Sequence, residues 1–254
     1  MNALSLSQKQ WETLEKFRVH KDWLPAFGGE EASTFLSEKG MEAYLSDRCS
    51  LIGSADLKVA SSLFMKRYAF VAAMGLMVMT YWNKKMNLTP ENLVIVDGDK
   101  NGLWMPQFYL KDASVNDFTS HEEKAEYIES IFRGHLNHVI QSLKKVTNLS
   151  NLILWENIAV YVFWIYENDD FLVEEGMRRR RDAQFRQLLS NEFSHWFGHY
   201  HKNPLARYYR SKVNVEHVAD KVRVRQTCCF SYKLENGEQY RCKSCPQTCR
   251  VKVD

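Results

Sequence analysis

The stretch CCFSYKLENGEQYRCKSCPQTC, residues 228–249, holds five of the six cysteines in the 254-residue chain. Thiols gathered in one place, rather than spread over a disulfide framework, ask for a metal. Within the stretch, a Phe/Tyr-rich run and a second short run flank Asn236-Gly237, the strongest local signal for a two-residue hairpin. With Asn236 and Gly237 as the central turn residues, the register sets Glu235 opposite Glu238, Cys242 opposite Ser231 and Cys228 opposite Cys245. Cross-strand neighbours lie roughly 4.5–5.5 Å apart, so the expected hairpin gathers the pair Cys228-Cys229 and the C-x-x-C pair Cys242-Cys245 in one place.

Structural zinc, a [2Fe–2S] cluster and disulfides compete for these sulfurs. Zinc knuckles place two to four residues between thiolates so that both wrap one tetrahedral ion, and the first pair here has no spacer. A [2Fe–2S] cluster spreads four thiolates over two irons, which accommodates the adjacent pair better. Cys249 is then a spare thiol or an alternative ligand. Cys49, alone in the rest of the chain, reads as a small buried hydrophobe.

Asn203-Pro204-Leu205 with Arg207, then VRVRQTCCFSY (Val222 to Tyr232), then C-x-x-C, resemble the FhuF family of ferric-siderophore reductases. The resemblance covers roughly residues 203–245, and the chain departs from the family pattern by a twelve-residue gap and the extra Cys249. It implies a [2Fe–2S] cluster on Cys228, Cys229, Cys242 and Cys245, and one-electron reduction of a ferric hydroxamate or citrate–hydroxamate siderophore that releases Fe(II) in the cytoplasm. The domains expected on this reading are a mainly helical, siderophore-binding body over 1–202 and an iron–sulfur subdomain over 203–254. Neither a G-x-G-x-x-G nor a P-loop is present, so electrons are expected from an external ferredoxin, flavodoxin or reductase.

At 45% hydrophobic and 13% aromatic residues the chain can bury a core. The net charge of +3 hides an asymmetry: residues 178–225 carry +8 and residues 1–177 carry −7. The positive segment adjoins the cysteines in sequence and suits an anionic iron complex or an acidic electron carrier. Arg207, Arg210, Arg223, Arg225, His199 and Trp196 are the candidate substrate contacts. The rival from another class is a redox-silent zinc module binding nucleic acid, against which stands the lack of any recognition module.

The N-terminus shows no secretory pattern. The apolar run 68–82 is too short to span a bilayer and is closed by Lys66-Arg67 and Lys84-Lys85, so it predicts a core helix and a cytosolic protein without a transmembrane segment, peripheral contact aside.

Helical spacing predicts further helices over about 7–19, 30–47, up to 85, 120–146 and 151–166, and another opened by Arg178 to Arg181. Residues 92–110, with Asp97-Gly98 and Asn101-Gly102, predict a β-hairpin. The expected class is α+β, mainly α: a helical body, a small β-hairpin and the cysteine hairpin. His135 and His138 read as surface residues, and His195, His199 and His201 as a polar helix end.

Overall fold

Ser7 starts the first helix with a capping box: its hydroxyl accepts from the Gln10 N–H, and the Gln10 side chain accepts from the Ser7 N–H. In the computed structural model, which describes residues 5–172, 176–216, 218–235 and 237–250, this helix is α1 (Gln8–Lys16). Arg18, at φ +67°, then turns the chain into β1 (Val19–His20). The helix expected from residue 30 begins later, because Glu30–Glu31 (β2) pairs with a later strand and Ala32–Leu36 forms a 3-10 turn. The Ser37 hydroxyl accepts from the Gly40 N–H at 3.0 Å and opens α2 (Glu38–Ile52).

Asp56 caps α3 (Leu57–Tyr68), which runs through Ala69 into α4 (Phe70–Trp82). Together they are long and apolar enough to cross a membrane, but 78% of the most apolar window is buried inside the fold. Asn83, at φ +53°, ends α4, two residues before the expected stop. Next come β3 (Lys84–Met86), β4 (Leu93–Val96), β5 (Asp99–Lys100), β6 (Leu103–Trp104), β7 (Gln107–Leu110) and β8 (Val115–Asp117). The predicted hairpin is β4 antiparallel to β7, with β5 and β6 at its tip. Asn101 and Gly102 both take positive φ there, as a type I′ turn requires. The strand order is β1-β7-β4-β2, and β3 pairs with β8.

The helix expected over 120–146 is split: α5 (His121–Ile131) passes through a π-turn, Phe132–Leu136, into α6 (Asn137–Thr147). His135 sits in that turn and is 2% exposed, contrary to its expected surface position, whereas His138 is exposed. Its Nδ1–H donates to the Leu88 carbonyl at 3.0 Å, so the Tyr68 hydroxyl donates to Nε2. Burial pulls the His135 pKa down to about 4. Because the unfolded chain takes up this proton near pH 6.5 and the folded chain only near 4, stability is full above 6.5 and falls as pH drops through that window, by ~3 kcal/mol in total. Denaturant midpoints from pH 7 to 4 measure it, and His135→Gln is expected to flatten that part of the profile.

The apolar helix predicted over 151–166 is α7 (Asn151–Glu167), started by Ser150. It lies in the middle of the body against α3 and α4, with Ile158, Ala159 and Val162 fully buried. The arginine run opens α8 (Met177–Leu189). Much of its charge is answered locally: Arg178 and Arg181 both pair with Asp169, and Arg181 also with Asp182. A 3-10 stretch, Asn191–Phe197, follows. The mainly α architecture with small β elements is the expected one.

Candidate metal centre

Arg225, Gln226 and Thr227 lead into the cysteine pair, and all three are fastened to α7. The Glu156 carboxylate accepts from the N–H of Gln226 at 2.6 Å, the N–H of Thr227 at 2.7 Å and the Thr227 hydroxyl. Arg225 Nη2 donates to Asn157 Oδ1 at 2.8 Å, and its Nε lies 3.7 Å from Glu156. The Arg225 and Glu156 side chains are each 3% exposed, a placement tolerable only because the charges and their hydrogen bonds are matched. Asn157 Nδ2 donates to the Ser62 carbonyl at 2.9 Å, and the Ser62 hydroxyl donates to the Cys229 carbonyl at 2.9 Å. This chain of buried polar contacts seats the cysteines on α3 and α7.

The expected cysteine hairpin does not form. Phe230 takes φ +65°, Ser231–Lys233 and Gly237–Tyr240 are 3-10 turns, and Asn236 lies outside the described residues. The turns close on themselves: the Ser231 hydroxyl donates to the Tyr240 carbonyl at 3.0 Å, and the Gly237 N–H to the Leu234 carbonyl at 2.8 Å. A Cβ on Gly237 would stand 2.5 Å from the Tyr232 carbonyl. Glycine is thus needed for close backbone approach, not for a strand-joining turn. Leu234 also packs over Gly53 at the end of α2, and the Glu235 N–H donates to the Gly53 carbonyl. Docking to the body has replaced cross-strand pairing.

Cys229 is buried between Lys66 Nζ, 3.7 Å from its sulfur, and the Ser231 hydroxyl at 3.3 Å. A hydrogen bond from Cys242 pulls its pKa well below the usual thiol value, with Lys66 and Arg225 adding to the effect, while the same contact pushes Cys242 up. The Phe230 N–H donates to Cys228 Sγ at 3.4 Å. Burial raises Cys228, with smaller contributions from the charges of Cys229 and Cys245. Burial opposes ionisation of Cys245 as well, but hydrogen bonds from Gln247, Thr248 and Arg241 outweigh it and lower its pKa. Among the described residues no group of three His, Cys, Asp or Glu is set to hold a single ion. Cys229 and Cys242 are in contact, and Cys228 and Cys249 are each in electrostatic reach of Cys245, a set of soft donors that fits a thiolate-held cluster.

The Cys249 thiol donates to the Lys243 carbonyl at 3.1 Å, and Cys49 lies in the last turn of α2. Neither takes part in the Cys229–Cys242 contact. Cys249→Ser and Cys49→Ser are therefore expected to keep the visible absorbance of the purified protein, measured per mole of chain.

A cavity of ≈ 380 Å³ beside α7 is lined by Phe163, Glu167 and Asn168 of that helix region together with Tyr208, Arg225 and Ser244. Arg223 lines it, donating both terminal nitrogens to Glu167 at 3.1 and 2.6 Å and lying over the Tyr209 ring at 4.3 Å. Arg207 and Arg210 are exposed, and the Arg210 carbonyl accepts from Arg223 Nε. Trp196 is not brought to this cavity. It is 3% exposed, stacks on Phe193 and borders a different cavity with Lys124 and Gln184. His199 is exposed. The sequence reading missed Glu156, Asn157, Ser62 and Lys66, although Glu156-Asn157 in the middle of NLILWENIAVYVFWIY was a visible signal: polar residues inside a wholly apolar helix need a buried partner.

A helical body seats a cysteine-rich tail on buried polar supports and sets Cys229 beside Cys242, a donor set for a thiolate-ligated centre. Residues 62–216 match the family described as ferric iron reductase FhuF-like transporter, and residues 225–247 match the FhuF 2Fe-2S C-terminal domain. The chain belongs to the FhuF-like ferric iron reductase family, and its cofactor is a [2Fe–2S] cluster. No curated protein and no solved structure matches it.

Proposed function

We propose that this chain reduces ferric hydroxamate or citrate–hydroxamate siderophores in the cytoplasm, with Cys228, Cys229, Cys242 and Cys245 holding the cluster and the cavity along α7 receiving the ferric complex. The observation that carries this reading is the position of Ser244: it lines the cavity and stands inside the C-x-x-C loop, between Cys242 and Cys245. When bound, the cluster supplies one electron at a time. Ferric iron held by hard oxygen ligands is bound far more weakly once it is ferrous, so one electron releases it. No proton transfer at a protein side chain is needed.

The lining also speaks to substrate charge. Glu156, Glu167 and Asp170 line the cavity together with Lys212, Arg223 and Arg225; Glu156 lies beside Arg225, and Glu167 is clamped by both Arg223 and Lys212. The basic segment is thus compensated where it meets the cavity. Phe163, Trp164 and Tyr208 leave flat apolar surface beside these pairs. Such a lining accepts a complex whose three hydroxamates cancel the ferric charge. A citrate–hydroxamate complex, which is more anionic, would lose water there without gaining an unpaired cation and is the poorer substrate of the two. Arg207 and Arg210, being exposed, are the contacts left for guiding a complex inward; Arg225, being buried, acts on the tail. In this division residues 1–202 supply α7 and most of the cavity wall, and residues 203–254 supply the cysteines and the remaining wall. The electron comes from an external one-electron protein donor of the ferredoxin or flavodoxin class.

Anaerobically reduced protein mixed with ferric hydroxamates and a ferrous trap is expected to yield one trapped Fe(II) per electron stored. Protein that stays reduced beside the chelate would overturn the reading. Val160, an exposed residue on the cavity wall, allows a narrower check: Val160→Trp puts an indole into the space the chelate would fill and is expected to raise KM for the ferric chelate about tenfold, with the visible spectrum unchanged.

A further inference from the structure

Among the described residues three cations approach the cysteines, Arg225, Arg241 and Lys66, and they differ in what neutralises them. Arg225 is matched by Glu156 and Asn157 within the buried clamp. Arg241 reaches Cys245 Sγ at 4.0 Å, but its guanidinium is forked onto Glu238 at 2.6 and 2.7 Å and lies over the Tyr232 ring. Lys66 is the exception. It projects from α3 on the helical body, its ammonium stands 3.7 Å from Cys229 Sγ, and among the described residues no carboxylate pairs with it. It is half-buried, so water screens it less than a surface lysine. Ser62, one helical turn before Lys66, holds the Cys229 carbonyl, so α3 fixes both the backbone and the sulfur of the same residue.

We propose that Lys66 is a positioning residue whose uncompensated charge raises the affinity of the centre for its electron. The proposal rests on the reading of Cys229 as a cluster ligand. Adding one electron adds one negative charge to a thiolate-ligated centre. A cation fixed beside one of those sulfurs lowers the energy of the more negative state by more than that of the less negative one. Lys66 neither gains nor loses a proton in this step; the electron enters from the external one-electron donor protein and leaves on the ferric complex. Charge placed on α3 also has a structural consequence. Lys66 stands on the body and touches a sulfur of the tail, so the potential is set only when the tail is seated.

The test is an anaerobic redox titration of the intact protein, followed by visible absorbance or electron paramagnetic resonance, on the wild type and three variants. Lys66→Arg keeps the charge, Lys66→Gln keeps a hydrogen-bond donor without it, and Lys66→Met keeps neither. Lys66→Gln and Lys66→Met are each expected to lower the equilibrium constant for reduction about tenfold, which for a one-electron couple is about 59 mV, and Lys66→Arg is expected to stay within about threefold of wild type. A potential unchanged in Lys66→Gln and Lys66→Met overturns the proposal. A loss confined to Lys66→Met overturns it too, since that would assign the effect to the hydrogen bond. If Lys66→Met does not retain iron, the Lys66→Gln and Lys66→Arg comparison decides alone. A wild-type protein lacking the [2Fe–2S] absorbance would remove the reading underneath, an outcome distinct from a coloured protein whose potential ignores Lys66.

Discussion

Glu156→Ala is expected to leave the helical body folded while reducing bound iron, and with it the visible absorbance, at least tenfold. The carboxylate sits on the buried face of α7 and accepts three hydrogen bonds from Gln226 and Thr227. Its removal leaves two N–H groups and one hydroxyl without an acceptor and strips the Arg225 guanidinium, still bonded to Asn157 and the Thr227 carbonyl, of its counter-charge. Breaking a buried pair of this kind costs ~3–5 kcal/mol, because the remaining charge has nowhere to go. The least costly response is to undock the segment, and Thr227 is joined directly to Cys228. The helix itself does not suffer, since alanine is the best helix former. Far-ultraviolet circular dichroism is therefore expected to change little while iron per chain collapses. Glu156→Gln, which keeps one acceptor oxygen but not the charge, is expected to fall between. Full iron occupancy in Glu156→Ala would show that the clamp does not seat the tail.

Where local chemistry decides local structure, the sequence was readable. Ser7 with Gln10, Asp56 and Ser150 cap helices at or near the expected starts, and Asn101-Gly102 forms the turn its dipeptide predicts. The misreadings fall where distant segments compete with local preference. The two-residue strands β1 and β2 exist only because β7 and β4 offer their edges, and pairs that short leave no periodicity to read. His135 reads as a surface residue because no carboxylate motif accompanies it, and the partners that let it be buried, the Tyr68 hydroxyl and the Leu88 carbonyl, lie far upstream in the sequence. At the candidate centre, the clustering of Cys228, Cys229, Cys242 and Cys245 was plain, but the hairpin drawn between them was not formed. Asn-Gly signals a tight reversal, and the backbone here reverses by 3-10 turns that leave the segment free to dock on Gly53 and Ser62. The supports on α3 and α7 come from residues more than sixty positions upstream, so no local pattern connects them to the cysteines. Only the oddity of a glutamate and an asparagine in an apolar helix hinted at them.

Cys229→Ser is expected to abolish the visible absorbance outright, and the reason differs from that in Glu156→Ala. Cys229 is 2% exposed and is the thiol most strongly drawn toward its thiolate form, by Cys242 first and then by Lys66 and Arg225. Iron is held by thiolates, and a serine hydroxyl in the same place keeps its proton at neutral pH. The smaller oxygen also shortens the reach toward Cys242. The backbone contacts of residue 229 remain, however, because Ser62 bonds its carbonyl and not its sulfur. The segment Arg225–Thr227 is accordingly expected to stay clamped to Glu156 in the colourless Cys229→Ser protein and to come loose in the colourless Glu156→Ala protein. Amide hydrogen exchange at Gln226 and Thr227 separates the two: protected in the first, at least tenfold faster in the second. Equal exchange in both would mean that the metal seats the tail, rather than the tail being seated ready for the metal.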